Sequence, residues 1–292
     1  VIVFVVTSEH QYTLQAVVQN LPEVKLQIAT YDQLWDATEI PRATYIFTDL
    51  DRLPIWRVQK AATIYRQLRD AGVKVLNDPA RILSRFGLLR KLYRCGINSF
   101  DAYRVEEDVV PARWPVFLRT EGDHKAPVSG LLYNQGEVEQ AIAAAIDTGV
   151  PIVGMLLVEF AAEPVRPGLF RKLSTFRIGD TYFGASCVHE DNWLVKYGTE
   201  GVAPPDLYED DLRIVRDNPF EAELKPVFDI AGIDYGRIDF GIVGGKIQIY
   251  EINSNPKVGF PTEHPSPYRV ESYDIFKRNF FDALTKADSK MA

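Results

Sequence analysis

Apolar positions recur along this chain at two different periods. VIVFVV at residues 1–6, VKLQIAT at 24–30, ATYIFTDL at 43–50 and VKVLN at 73–77 have the length and β-branched content of buried strands. Between them, QYTLQAVVQNL and IWRVQKAATIYRQLRDAG space their apolar residues as helices do, the second closing at Gly72. Alternating strands and helices predict a small open α/β sheet. The turn NDPA marks a boundary near residue 78.

The pattern then changes. RILSRFGLLRKLYRCG predicts a helix, WPVFLRT a strand, EGDHKAPVSG a polar loop and LLYN a returning strand. GEVEQAIAAAIDTG predicts a helix closed by Gly149, and GMLLVEFAAEP a buried strand. FRKLSTFRIGDTYFGASCVHE predicts two strands joined around Gly179-Asp180. PPDLYEDDLRIVRDNPFEAELKPVFDIAG is turn and helix, a hairpin follows, and VESYDIFKRNFFDALTKA predicts a last helix. The order runs from α/β to α+β, then to mixed antiparallel structure.

Composition narrows the function little. Of 292 residues, 46% are hydrophobic and 25% charged, as in an ordinary globular protein with ample core. The net charge of −7 gives no whole-chain reason to expect nucleic acid. Cys95 and Cys187 have no metal spacing and make no disulfide framework, which fits a reducing compartment such as the cytoplasm. VIVFVV is too short for a signal core or a membrane span, and no long apolar run occurs elsewhere.

The chemistry concentrates in RIDFGIVGGKIQIYEINSNP, residues 237–256. Carboxylates are costly among buried apolar residues unless something pairs with them. On the second strand Glu251 and Asn253 share a face, about 7 Å apart. The turn decides where Asp239 points. A two-residue Gly244-Gly245 turn sets it opposite Tyr250, facing away from Glu251. A three-residue loop over Lys246, or one bulge, sets it opposite Glu251, where a hard cation such as Mg²⁺ would bridge the pair. A solvated hairpin with scattered polar residues is the bland alternative.

This hairpin resembles the metal-binding hairpin of the ATP-grasp superfamily. The resemblance extends over nearly the whole chain in the family's order, and is closest to glutathione-synthetase-like and ribosomal-protein glutamate-ligase-like members. It implies an ATP-grasp domain over residues 79–292, with a lid subdomain at about 112–158, preceded by an α/β domain over 1–78. It further implies a ligase that joins a carboxylate to an amine through an acyl phosphate, releasing ADP and phosphate. The expected cofactors are ATP and two Mg²⁺ ions, and the expected metal ligands are Asp239, Glu251 and Asn253. Small-molecule or peptide carboxylates and amines are the expected partners, with no nucleic acid and no membrane; a homodimer is compatible with the family.

Other roles follow by position. Two nucleotide-binding lysines of the family are replaced by Arg85 and Arg119, and Arg is not a neutral swap for Lys. The lid loop keeps only Gly122 and Gly130 around Glu121, Asp123, His124 and Lys125. Its acidic residues would repel a triphosphate unless turned away, and Lys125 or His124 would compensate. The backbone at Glu159, Phe160 and Ala161 would meet adenine, and Glu163 the ribose. Arg171, preferred over Lys172, and Lys196 are the catalytic candidates, and Arg269 is a candidate carboxylate binder. Asp49 and Asp51 end a strand and would either meet an amine or cap the next helix. CVHED has no third partner for a Cys–His nucleophile. A small-molecule kinase and a non-catalytic nucleotide-binding protein are the competing readings. No dense basic cluster supports the first, and the arginine replacements with the acidic lid support the second.

Overall fold

The computed structural model describes residues 1–20, 25–108, 110–122 and 126–289. The chain begins β1 (Ile2–Val6), α1 (Gln15–Asn20), β2 (Leu26–Thr30), α2 (Tyr31–Asp36), β3 (Thr44–Phe47), α3 (Ile55–Asp70) and β4 (Val75–Leu76). It continues with α4 (Arg85–Arg94), β5 (Ala102–Arg104), β6 (Val116–Thr120), α5 (Gln135–Asp147) and β7 (Met155–Glu159). Then come β8 (Pro164–Arg166), β9 (Leu169–Ile178), β10 (Thr181–Glu190), α6 (Pro205–Asp217) and α7 (Glu221–Ala231). The hairpin β11 (Tyr235–Val243) and β12 (Lys246–Asn253) and the helix α8 (Pro267–Ser289) close the chain. Two compact units result. One holds residues 1–82, 164–239 and 252–292, the other residues 83–163 and 240–251.

In the first unit β2-β1-β3-β4 form a parallel sheet, as the alternation of strands and helices predicts. Parallel strands are covered on both faces, which is why VIVFVV is apolar without a break. Ile2, Phe4 and Val6 enter a core with Phe176, Phe183, Tyr235 and Phe280. Val3 and Val5 face the opposite core of Tyr31, Tyr45, Phe47 and Tyr65. The N-terminal sheet therefore shares its core with β9, β10 and α8 of the same unit. β9 and β10 pair antiparallel around the expected Gly179-Asp180 turn.

Two local features of this unit are set by short polar side chains. Thr30 ends β2 and caps α2. Its hydroxyl accepts from Gln33 N–H at 3.2 Å, and the Gln33 side-chain oxygen Oε1 accepts from Thr30 N–H at 2.8 Å. Asn77, in the predicted turn, is fully buried at φ 61°. Its amide donates to the carbonyls of Phe47 and Tyr235 and accepts from the N–H groups of Asp234 and Tyr235.

In the second unit β5-β7-β6 form an antiparallel sheet. β6 and β7 sit where the apolar runs place them. The expected LLYN strand does not form; only Leu132 bridges Val116. Asn134 turns the chain instead, accepting from Glu137 N–H at 3.0 Å to cap α5. β5, three residues long, supplies the third strand. α4 begins at Arg85 rather than 81, because the Ser84 hydroxyl caps it on Gly87 N–H. The hairpin turn is the two-residue form, Gly244 at φ 56° and Gly245 at φ 75°. Both angles suit glycine and match the twist of a tight hairpin.

Candidate functional site

In the first unit, Asp239 lies on β11 and is 1% exposed. Arg237 shares its strand face by the two-residue alternation. Arg237 Nε donates to Asp239 Oδ1 at 2.7 Å and Nη2 to Oδ2 at 3.1 Å. Ser174 Oγ donates to Oδ1 at 3.0 Å, and Lys172 Nζ stands 3.4 Å from Oδ2. Burial alone would push this carboxyl up. Arg237 and Lys172 outweigh it and hold the carboxyl below the usual carboxylate range.

Lys172, and not Arg171, is the side chain that faces Asp239. Arg171 and Lys172 are adjacent on β9 and point to opposite faces. Arg171 Nη1 pairs with Asp210 Oδ2 at 2.7 Å and reaches Asp211 Oδ1 at 3.4 Å, both on α6. Lys172 faces Asp239 and also donates to the Lys196 carbonyl at 3.3 Å. Lys196 itself lies in a loop gathered by Glu190, whose Oε1 accepts from the N–H groups of Lys196, Tyr197 and Gly198. Its ammonium sits 5.1 Å from the Tyr197 ring centroid.

Asn253 Oδ1 accepts from Asn255 N–H at 2.9 Å, which fixes the orientation of its amide. Asp49 does not cap the turn that follows it. It is fully buried at φ 61° and is held by the Thr7 hydroxyl, by His10 Nδ1 at 3.0 Å and by Arg52 at 2.9 Å. Asp51 accepts from Ser254 Oγ at 3.2 Å.

In the second unit, Arg85 is drawn to the end of β6 and to Glu251. Its Nη1 donates to the carbonyls of Thr120 and Glu121 at 3.0 and 2.9 Å, and Nη2 donates to Glu251 Oε2 at 3.0 Å. Arg119 is half-buried on β6 across from Leu156. Glu121 is neutralised locally: Arg104 stands 3.1 Å from it and Phe86 N–H donates to it at 3.3 Å. This removes part of the electrostatic objection raised by the acidic loop. Asp123, His124 and Lys125 lie outside the described residues.

The segment at residues 159–161 is tightly hydrogen-bonded. Glu159 is buried, and its carboxylate accepts from Tyr103 OH, Asp101 N–H and Arg113 N–H at 2.9, 2.9 and 3.0 Å. Phe160 N–H donates to the Pro115 carbonyl. The Ala161 carbonyl accepts from Tyr250 OH at 2.9 Å, while its N–H has no partner among the described residues. Glu163 Oε2 accepts from Gly244 N–H at 2.6 Å, at the hairpin turn.

Among the described residues, no three His, Cys, Asp or Glu side chains cluster as a metal site. Asp239, Glu251 and Asn253 nevertheless offer hard oxygen donors that suit Mg²⁺. Each carboxylate has a guanidinium partner within its own unit, Arg237 for Asp239 and Arg85 for Glu251. The two-residue turn means that Lys246 belongs to β12, so the three-residue loop that would set Asp239 opposite Glu251 is not formed. Sequence reading missed Arg237. Its signal was the spacing Arg-x-Asp on one strand, which puts a cation beside the carboxylate.

The whole chain is similar in fold to D-alanine–D-alanine ligases. That from Bacillus anthracis matches at TM-score 0.56 and 13% identity, over 99% of this chain and 97% of that one. That from Coxiella burnetii matches at 0.56 and 12%, over 99% and 95%. The Bacillus anthracis enzyme complexed with ATP matches at 0.51 and 11%, over 99% and 98%. No family model and no curated protein matches the chain. At these identities the likeness establishes the fold: an ATP-grasp fold with an α/β segment at its N-terminus. Among the described residues no helix is long and apolar enough to cross a membrane.

Proposed function

We propose that the chain is an ATP- and Mg²⁺-dependent carboxylate–amine ligase. The observation that carries this reading is Asp239, a buried carboxylate kept ionised by Arg237 and Lys172, on the hairpin of a chain with this fold. Asp239, Glu251 and Asn253 are assigned to Mg²⁺, taken as two ions, where metal would draw charge from the transferring phosphoryl group. Arg85 and Arg119, with Lys125, are assigned to the ATP phosphates. The free Ala161 N–H and the backbone at Glu159 suit the edge of adenine, with Phe160 packing beside it. Glu163, engaged by Gly244 N–H through one oxygen, keeps the other for the ribose. Lys172 and Arg237, the cations beside Asp239, are assigned to the acyl phosphate in place of Arg171, and Lys196 borders it.

In the proposed reaction a substrate carboxylate attacks the terminal phosphorus, ADP leaves, and an acyl phosphate forms. An amine then attacks the acyl carbon, an amide forms, and phosphate leaves. The protein supplies positioning and charge rather than a nucleophile. A screen of carboxylate and amine pairs for ADP release, with mass spectrometry of the products, tests this. A ligase yields a product equal to acid plus amine less water. A phosphorylated product without condensation would favour the kinase reading.

A further inference from the structure

The first unit contains a cavity of about 370 Å³. Its size falls in the range of small-molecule sites. Much of its wall is aromatic, with Tyr208, Tyr273, Phe276 and Phe176. Two buried polar groups also line it. His189 is 2% exposed and Arg269 is 7% exposed.

The His189 ring is left without hydrogen-bond partners at either nitrogen among the described residues, as is Asp211 Oδ2 behind it. Asp211 stands 3.6 Å from His189 Nδ1 and 3.9 Å from Arg269 Nη1, both beyond hydrogen-bond range. Burial, with Arg269 and Arg171 nearby, pushes His189 down to about 3, so the ring is neutral and presents one donor and one acceptor. Arg269 also lies near two aromatic rings, its guanidinium 5.6 Å from the Tyr208 centroid and 5.9 Å from that of Tyr273. Buried polar groups left open at a cavity wall mark a place where a partner belongs.

The cavity also reaches the proposed reaction centre. Arg237 lines it and donates to Asp239. Its charged lining is Arg237, Lys257 and Arg269 against Glu200, a surplus of cations.

We propose that this cavity binds the acceptor substrate, and that the acceptor is an amino acid, its amine the nucleophile, with an aromatic or large apolar side chain. Its carboxylate meets the Arg269 guanidinium and a His189 N–H, and its side chain packs on Tyr208, Tyr273 and Phe276. The word acceptor rests on the ligase reading; binding of the amino acid does not.

Calorimetric titration with phenylalanine (each enantiomer), leucine, alanine and phenethylamine tests the inference, without nucleotide and with ADP and Mg²⁺. The expected result is that phenylalanine or leucine binds at least tenfold more tightly than alanine and phenethylamine. Gly259 lines the cavity, and a Cβ there would meet nothing within 4 Å, so Gly259→Phe should fold and block it. That variant, and Arg269→Lys, should each weaken binding at least tenfold. Equal binding of alanine overturns the apolar side chain, and equal binding of phenethylamine overturns the carboxylate. No binding by any probe, or binding unchanged in folded Gly259→Phe, overturns the site. Failure of the ligase reading looks different: the amino acid still binds, but no ADP is released with any amine or carboxylate.

Discussion

Replacing Arg85 with Met would remove at least three hydrogen bonds at once, two to the carbonyls of Thr120 and Glu121 and one to Glu251 Oε2. The Arg85 side chain is only 7% exposed, so water cannot simply take its place. Hydrogen bonds to a charged group contribute ~1.5–3 kcal/mol each. Glu251 is 23% exposed and would regain some hydration, and the carbonyls end a half-buried strand. The expected loss is therefore about 3–5 kcal/mol rather than the full sum. Arg85→Lys keeps the charge but not the fork that reaches carbonyls and carboxylate together, and should cost about 1–2 kcal/mol. Urea unfolding at constant m-value reads both. A Met variant within about 1 kcal/mol of wild type would refute the reasoning, since breaking a buried ion pair costs more than that. So would a Lys variant as unstable as the Met variant.

Three further outcomes are expected. Asn77→Ala removes four buried hydrogen bonds at a positive φ and should cost about 3–5 kcal/mol in chemical unfolding; a cost below about 1 would contradict the account. Gly232→Ala combines φ 70° with a Cβ 2.9 Å from the Arg81 carbonyl, so it should lower Tm clearly, whereas Gly259→Ala should not. His189 is pushed down to about 3, so wild type loses stability from this group as pH falls from about 6.5 toward 3. Asp211 is pushed up to about 6 by burial and has the opposite sign, losing its contribution as pH rises from about 4 to 6. His189→Gln removes only the first effect. Relative to wild type its stability should therefore rise on acidification from pH 6 to 4, by about 2–3 kcal/mol, in unfolding measured across that range.

The parts legible in the sequence were those governed by local pattern. VIVFVV announced a strand buried on both faces, and the alternation around it announced the parallel sheet. The capping sequence of Thr30 and Gln33 was also legible, but α2 is only six residues long and carries little periodicity. β5 was hidden for the same reason, with three residues in an apolar context that decides nothing alone. LLYN was apolar enough for a strand, yet the Asn134 cap won the chain for α5. At the site, alternation guaranteed that Arg171 and Lys172 point apart, but which of them faces Asp239 depends on where β9 lies relative to α6. That is a tertiary fact. Arg269 was singled out from the sequence, but the open cavity wall at His189 was invisible, because it rests on partners that are absent rather than on residues that are present.

The central claim is that the hairpin carboxylates serve a metal–nucleotide site. Calorimetry with ATP and Mg²⁺ on wild type and on Glu251→Gln tests it most directly, since Gln still gives Arg85 an acceptor. The account predicts Mg²⁺-dependent ATP binding in wild type, weakened at least tenfold in the variant. Folded wild type that binds no ATP, or a variant that binds ATP as wild type does, would contradict it.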